Sequence, residues 1–306
     1  MPELPPASSH YGFSGATNRI GRYTPDPAER LLLAWPLRPH RRFTTTAHGR
    51  LGCRLPPALY QETDHILDVG CGPGTITTSL ARHASEGRTV GIDISSDILQ
   101  KARTLAIEAN ISTEGPGAVI FEKQDALERL AYPDNTFDII FSSQFLGHLP
   151  APELPIQALS EMRRVLKPGG ILATRDATSQ HFYPQSLDLD HLWLRNQLRA
   201  SRKGKPEADP TGTIMLTLFR GAGFDVDGGK VRLGAGTKVF WGRETRKGLA
   251  QRAVGQLQPG DPFYQSWLDA GITVDAIQQG LLAVEKWAET EDAWFGSLQC
   301  EMLAWK

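Results

Sequence analysis

The sequence is poor in cysteine and has no long hydrophobic run. Only three cysteines occur among 306 residues, at Cys53, Cys71 and Cys300, too few and too scattered for a disulfide framework or a zinc knuckle. No apolar stretch approaches the roughly 20 residues of a membrane-spanning helix, and the first segment, MPELPPASSH, lacks the pattern of a secretory signal. These absences predict a reduced, soluble, cytoplasmic protein without a metal site.

The chain also has no excess of either charge. It contains 33 Lys and Arg residues against 34 Asp and Glu residues, a formal net charge of −1 at pH 7. No block of like charge stands out, and the short basic cluster at residues 38–42 is typical of a solvated turn. The sequence therefore argues against nucleic acid and acidic membranes as partners.

What the sequence does contain is an alternation of strand and helix patterns from residue 66 onward. Apolar runs typical of buried strands are ILDV, TVGID, AVIFEKQD, FDIIFSS and GILATRD. Stretches with apolar residues at helical spacing lie between them, as at Ile98, Ala102, Leu105 and Ala109. This order predicts an α/β fold in which helices cover both faces of a parallel sheet.

The two ends of the chain depart from this central pattern. Residues 1–60, rich in Pro, Arg and Gly, predict an amino-terminal arm or lid. Residues 61–306 are expected to form one domain with partly helical cap insertions at about 177–205 and 245–296. Because open α/β sheets bind ligands at the carboxyl ends of their strands, we expect the second insertion to lie there.

The stretch LDVGCGPG joins the first strand to the first helix. Gly70, Gly72 and Gly74 let the backbone turn sharply and let a ligand approach it closely. Asp93 ends the second strand, where a carboxylate can bind ribose hydroxyls. Asp68 precedes the glycines and would repel a pyrophosphate but attract an amino group. The pattern therefore favours a ligand with a ribose and an ammonium group.

Four motifs in order, LDVGCGPG, GID, KQDALERLAYPDNTFDIIFSS and LKPGG, resemble those of class I S-adenosylmethionine-dependent methyltransferases. They cover about residues 64–176 and are most similar to the ubiquinone/menaquinone-biosynthesis methyltransferase-like group, which acts on small molecules in fungal and bacterial secondary metabolism. The resemblance implies a Rossmann-like sheet of seven strands whose antiparallel last strand lies between the fifth and the sixth. It also implies S-adenosyl-L-methionine as cofactor and S-adenosyl-L-homocysteine as product.

The resemblance further implies a set of cofactor-binding residues, namely Asp68, Gly70, Cys71, Gly72, Gly74, Asp93, Ile94, Asp125, Ala126, Ser142 and Gln144. The glycine turn would wrap the methionine part, and Asp68 would face its ammonium group. Asp93 would accept from both ribose hydroxyls, and Ile94 would pack on the adenine. Asp125 would accept from the adenine amino group, or cap a helix over ALERL, and Ala126 would offer a backbone contact. Ser142 and Gln144 would lie near the methionine end of the cofactor and near the acceptor.

The acceptor is expected to be a small, largely apolar molecule that is methylated on oxygen. The fourth strand is followed by SSQF, without the Asn/Asp-Pro-Pro-aromatic motif of enzymes that methylate nucleic-acid amino groups. Aromatic residues in the two insertions fit either an apolar pocket or ordinary core packing; they are Tyr183, Trp193, Phe240, Trp241, Phe263, Tyr264, Trp267, Trp287, Trp294 and Phe295.

A general base is needed only if the acceptor must lose a proton. The candidates, in decreasing order, are His148, His181, Asp176 and His191, although His148 is equally compatible with a surface turn. Two other functions stay open. One is a cofactor-binding relative that catalyses a cyclisation or pericyclic reaction, or none; the other is a dinucleotide oxidoreductase, which the missing second nucleotide-binding half and Asp68 argue against.

Overall fold

The computed structural model describes residues 60–150, 152–201 and 210–306. All but the last residue of the predicted amino-terminal arm therefore lies outside the described residues. Within the described ranges, no helix is long and apolar enough to cross a membrane.

The described residues contain a single sheet of seven strands in the order β3-β2-β1-β4-β5-β7-β6. The strands are β1 (His65–Val69), β2 (Arg88–Asp93), β3 (Ala118–Lys123), β4 (Phe137–Ser143), β5 (Leu166–Tyr183), β6 (Val231–Phe240) and β7 (Trp294–Trp305). Strands β1 to β5 pair in parallel, whereas β7 runs antiparallel to both β5 and β6. The predicted Rossmann-like sheet is therefore confirmed, with its reversed strand between the fifth and the sixth.

Helices lie against this sheet or, within residues 243–289, pack mainly on one another and on residues 190–201. They are α1 (Thr75–Ala81), α2 (Ser96–Glu108), α3 (Glu153–Val165), α4 (Asn196–Ser201), α5 (Met215–Gly221), α6 (Arg243–Gln256), α7 (Pro262–Asp269) and α8 (Val274–Glu289). Short 3₁₀ turns occur at Leu146–His148, Gln185–Leu187 and Thr211–Thr213, and a π-helical turn at Asp190–Arg195 precedes α4.

Local sequence signals explain the central elements. The run HILDV is buried in β1 after its first residue, as expected of a strand covered on both faces. Ser95 begins α2 as an N-cap, because its hydroxyl accepts a hydrogen bond from the N–H of Ile98 at 3.3 Å. The carboxyl end of β1 leads directly into the glycine turn, and the amino end of α2 is joined to that turn through Asp93.

Strand β5 is longer than the sequence indicates. The predicted strand GILATRD ends at Asp176 and a partly helical insertion was expected from residue 177, but β5 continues to Tyr183. This boundary is wrong because residues 176–183 pair with residues 294–300 of β7, a long-range pairing that local periodicity cannot reveal. Helix α8 packs at this carboxyl end of β5, where the indole of Trp287 donates to the carbonyl of Tyr183 at 3.0 Å.

Candidate functional site

The glycine turn between β1 and α1 combines two crowded positions with an open one. Gly70, Gly72 and Gly74 have φ angles of 70°, 51° and 77°, in the left-handed region that favours glycine. A Cβ atom at Gly70 would lie 2.7 Å from the ring of Phe145, and one at Gly74 would lie 2.8 Å from Ala102. A Cβ atom at Gly72 would meet nothing within 4 Å. The backbone at Gly72 is therefore the part of the turn that a ligand can approach.

Asp93, at the end of β2, fixes this turn from the side. Its Oδ2 atom accepts from the N–H of Gly72 at 3.1 Å, and its Oδ1 atom accepts from the N–H of Ser95 at 3.0 Å. An ionised carboxylate has about four acceptor positions, so each oxygen retains one for a ligand hydroxyl. The next residue, Ile94, is 64% exposed, which leaves an apolar surface beside the carboxylate.

Asp68 is buried beneath the turn. Its Oδ2 atom accepts from the hydroxyl of Thr77 at 2.6 Å. Burial raises the pKa of Asp68 to about 7; the hydrogen bond from Thr77 opposes the shift and the charge of Asp93 adds to it. A carboxyl group balanced in this way ionises readily when a cationic group is brought near it.

Cys71 and Asp125 have structural contacts of their own. The thiol of Cys71 is buried, and its pKa is raised by desolvation and by the charges of Asp68 and Asp93, so it is not an activated nucleophile. Asp125 is exposed and its Oδ1 atom accepts from the N–H of Leu127 at 2.9 Å. The segment ALERL that follows forms a turn rather than the helix considered from the sequence.

The three remaining predicted cofactor-binding residues differ in burial and in whether they border a cavity. Ala126 is buried. Ser142 is fully buried in β4, and its hydroxyl has no hydrogen-bond partner in the described part of the chain. Gln144, at a φ of 56°, is held by its N–H to the carbonyl of Arg175 at 2.8 Å and borders a pocket. Of the two residues expected near the acceptor, Gln144 is the one that the structure brings to a cavity.

That pocket has a volume of about 470 Å³ and opens at the carboxyl ends of β4 and β5. Its wall includes three of the four candidate bases, namely His148, Asp176 and His181, whereas His191 is outside it. Phe145, which packs on Gly70, lies in the chain between the lining residues Gln144 and Gly147. The pocket and the glycine turn are therefore neighbours.

The candidate bases differ in their surroundings. Within the described ranges the ring of His148 has no hydrogen-bond partner, and its pKa is lowered by surrounding protein atoms and by the charge of Arg252, against an opposing effect of Asp93. Asp176 is buried, accepts from the N–H of Gly147 at 2.9 Å, and has a pKa raised by burial to about 7. His181 Nδ1 lies 2.8 Å from Asp190 Oδ2, a partner that sequence patterns did not identify.

The aromatic residues of the insertions do not line this pocket. Trp267 and Trp287 are fully buried, and Phe182, Trp287 and Phe295 pack together in ring contacts of about 5 Å. None of the ten aromatic residues named from the sequence lies in its wall. Of the two interpretations that the sequence leaves open, core packing applies to the buried members of the set, such as Trp267 and Trp287, whereas Trp241 is 66% exposed.

Comparison with known proteins places the chain in a family. Residues 61–219 match the family model described as "Methyltransferase domain". Probable methyltransferase ltbC of Aspergillus luteorubrus is 61% identical over 264 residues, which are 86% of this chain and 92% of that protein. The chain belongs to this methyltransferase family. The predicted class I S-adenosylmethionine-dependent methyltransferase, with its cofactor, is therefore confirmed.

Two further matches are more distant. A crystallised candidate methyltransferase from Bacillus halodurans C-125 superimposes with a TM-score of 0.50 at 20% identity, covering 81% of this chain and 95% of that one, and it shows the fold alone. The S-adenosyl-L-methionine-dependent Diels-Alderase iccD of Talaromyces variabilis is 35% identical over 160 residues, 52% of this chain and 48% of that protein. This relative is named for a reaction other than methyl transfer.

Proposed function

We propose that the protein transfers the methyl group of S-adenosyl-L-methionine to an oxygen atom of a small, largely apolar molecule. The observation that carries this proposal is the contact between the glycine turn and the pocket, where Phe145 packs on Gly70 while its neighbours in the chain line the cavity. A donor on the turn and an acceptor in the pocket would be held side by side. Such alignment supplies much of the acceleration of a two-substrate reaction.

The residues of the turn suit the cofactor in chemical type. Asp93 would accept from the two ribose hydroxyls with its remaining lone pairs, and exposed Ile94 would pack on the adenine. Asp68 would balance the charge of the ammonium group in the methionine part of the cofactor. The methionine part would approach the backbone of the turn at Gly72, where the space is open. When bound, the cofactor would supply an activated methyl group.

The outer contacts complete the proposed site. Asp125 would accept from the adenine amino group, because its exposed carboxylate retains lone pairs beyond the bond to Leu127. Ala126 would contribute its backbone. Gln144 would lie between cofactor and acceptor, and Ser142, being buried in β4, would support the strand end beneath them. We further propose a cytoplasmic location, which rests on the scarcity of cysteine, and an acceptor from secondary metabolism, which rests on the sequence resemblance.

The first test is calorimetry with S-adenosyl-L-homocysteine, followed by incubation of the protein with S-adenosyl-L-methionine and candidate hydroxylated acceptors. We expect saturable binding and acceptor-dependent formation of S-adenosyl-L-homocysteine. Absence of binding would refute the proposal.

A second candidate function is a pericyclic or cyclisation reaction with the cofactor retained, which the similarity to iccD favours. The same incubation separates the two functions. Conversion of an added compound to an isomer of equal mass, without formation of S-adenosyl-L-homocysteine, would support cyclisation and exclude methyl transfer to that compound.

A further inference from the structure

A histidine–aspartate pair stands in the wall of the pocket. His181 Nδ1 lies 2.8 Å from Asp190 Oδ2, and both residues line the cavity. The side chain of His181 is 52% exposed and that of Asp190 is 29% exposed, so the ring is accessible while the carboxylate is partly covered. The pair joins two elements, the end of β5 and the π-helical turn, and it therefore depends on the tertiary fold.

Asp190 is held in a fixed orientation by its own partners. Its Oδ1 atom accepts from the N–H of Phe182 at 2.7 Å, and its Oδ2 atom accepts from the side-chain amide of Gln185 at 3.2 Å. Partial burial raises the pKa of Asp190, but these bonds and the one with His181 outweigh burial and lower it. An ionised Asp190 selects the His181 tautomer that carries its proton on Nδ1. That tautomer presents a lone pair on Nε2, for which the described part of the chain offers no partner.

The backbone around Asp190 is unusual. π-helical turns are rare and are frequent at functional sites. Here the turn Asp190–Arg195 places Asp190, Leu194 and Arg195 together in the pocket wall. This rare backbone feature therefore lies in the pocket wall itself, as such turns do at many functional sites.

We propose that His181, oriented by Asp190, is the general base that removes the hydroxyl proton of the acceptor, and that the acceptor is a phenol, because a phenol gives its proton to an imidazole far more readily than an aliphatic alcohol does. This inference rests on the proposed methyl transfer. As the acceptor oxygen bonds to the methyl carbon, the carbon–sulfur bond breaks and its electron pair stays on sulfur. The O–H proton moves to Nε2 of His181, and the carboxylate of Asp190 stabilises the resulting imidazolium. His148 lacks such an orienting partner in the described residues.

The tautomer of His181 provides a test that does not depend on activity. Long-range ¹H–¹⁵N spectra of full-length protein labelled at histidine would be recorded, with the His181 signals assigned by their loss in His181→Gln. We expect the Nδ1–H tautomer in the wild type and a shift toward a mixture in Asp190→Asn. Asp188→Asn, which changes an exposed carboxylate outside the pocket, should leave these signals unchanged. A His181 that carries its proton on Nε2 would overturn the inference.

The second test measures methyl transfer to a series of phenols, from weakly acidic alkylphenols to acidic nitrophenols. His181→Ala should lower turnover of the alkylphenols by about 10²–10⁴-fold, the usual range of general base catalysis. The loss should be much smaller for nitrophenols, which are already ionised and need no base. A loss that is equal across the series, or confined to KM, would show a structural or binding role and overturn the inference.

Failure of this inference is distinguishable from failure of the proposed function. If S-adenosyl-L-homocysteine binds but no phenol in the series is methylated by the wild type, the assignment of a phenolic acceptor and its base is overturned, while the cofactor site stands. If S-adenosyl-L-homocysteine does not bind, the proposed methyl transfer itself is refuted.

Discussion

The Oδ2 atom of Asp93 accepts a hydrogen bond from the backbone N–H of Gly72 at 3.1 Å. This bond connects the end of β2 to the glycine that a ligand can approach, so a single carboxylate holds the turn and faces the site. The other oxygen of the same carboxylate accepts from the N–H of Ser95, the N-cap residue of α2. Substitutions at Asp93 and Gly72 therefore test the cofactor site most directly.

We expect Asp93→Ala to weaken binding of S-adenosyl-L-homocysteine by at least about 100-fold. Each lost charge-assisted bond to a ribose hydroxyl is worth about 1.5–3 kcal/mol, and 1.4 kcal/mol corresponds to a factor of ten. Calorimetry gives the affinity, and Asp97→Ala is the matched control because Asp97 is an exposed carboxylate in the first turn of α2. Equal affinities of the two variants would contradict the role of Asp93.

Gly72→Ala and Gly74→Ala are expected to fail in different ways. Alanine at Gly74 would meet Ala102 and Phe121 at 2.8 Å in a left-handed conformation, which should destabilise the fold by about 2–5 kcal/mol. Alanine at Gly72 meets nothing, so the cost is the conformational strain of about 1–2 kcal/mol, and the new methyl group should block the ligand.

Urea denaturation and calorimetry with S-adenosyl-L-homocysteine separate these two effects. Gly72→Ala should stay folded and lose at least tenfold in affinity, whereas Gly74→Ala should unfold at a clearly lower urea concentration. Normal binding by a folded Gly72→Ala variant would show that the ligand does not approach the turn at this position.

Local signals were sufficient to predict the backbone around the glycine turn, where we propose that the cofactor binds. The glycine turn, the acid that ends β2 and the N-cap of α2 depend on residues close in sequence or on strand ends that parallel pairing must align. The order of the outer strands came from the family resemblance. These parts of the fold agree with the sequence because each depends on periodicity or on a short motif.

The wall of the pocket could not be predicted in the same way. Asp190 reaches His181 through a π-helical turn and an extension of β5, and neither feature has a sequence rule. The length of β5 depends on pairing with residues more than 100 positions away. Trp287 looked equally suited to a pocket and to a core, and it is the contact of α8 with the end of β5 that places it in the core.

Binding of S-adenosyl-L-homocysteine should release a proton below neutral pH. The pKa of Asp68 is raised to about 7, mainly by burial, so the free protein holds this carboxyl protonated at pH 6. The ligand's ammonium favours the ionised form, and binding must therefore expel the proton. Affinity should rise as the pH increases toward 7, by up to about tenfold per unit below the pKa, and then level off.

The proton release can be measured from binding enthalpies in buffers that differ in their enthalpy of ionisation. Asp68→Asn is the matched variant, since its amide oxygen can still accept from Thr77 but it does not titrate. It should bind more weakly than the wild type at pH 7.5, with an affinity independent of pH between 5.5 and 7.5. A wild-type affinity that is also independent of pH would show that Asp68 does not face the ammonium.

His148→Ala is expected to lower methyl transfer by less than tenfold and to leave the affinity for S-adenosyl-L-homocysteine unchanged. Desolvation and the nearby charge of Arg252 lower the pKa of His148, so the ring is neutral at pH 7.5. No hydrogen-bond partner among the described residues orients this ring. Initial rates of His148→Ala would be measured with a phenol that the wild type methylates and compared with the rates of His181→Ala and His191→Ala. His191 is the control, because it is an exposed histidine outside the pocket. A fall of 10²–10⁴-fold in His148→Ala, with full activity in His181→Ala, would make His148 the base that the sequence first indicated.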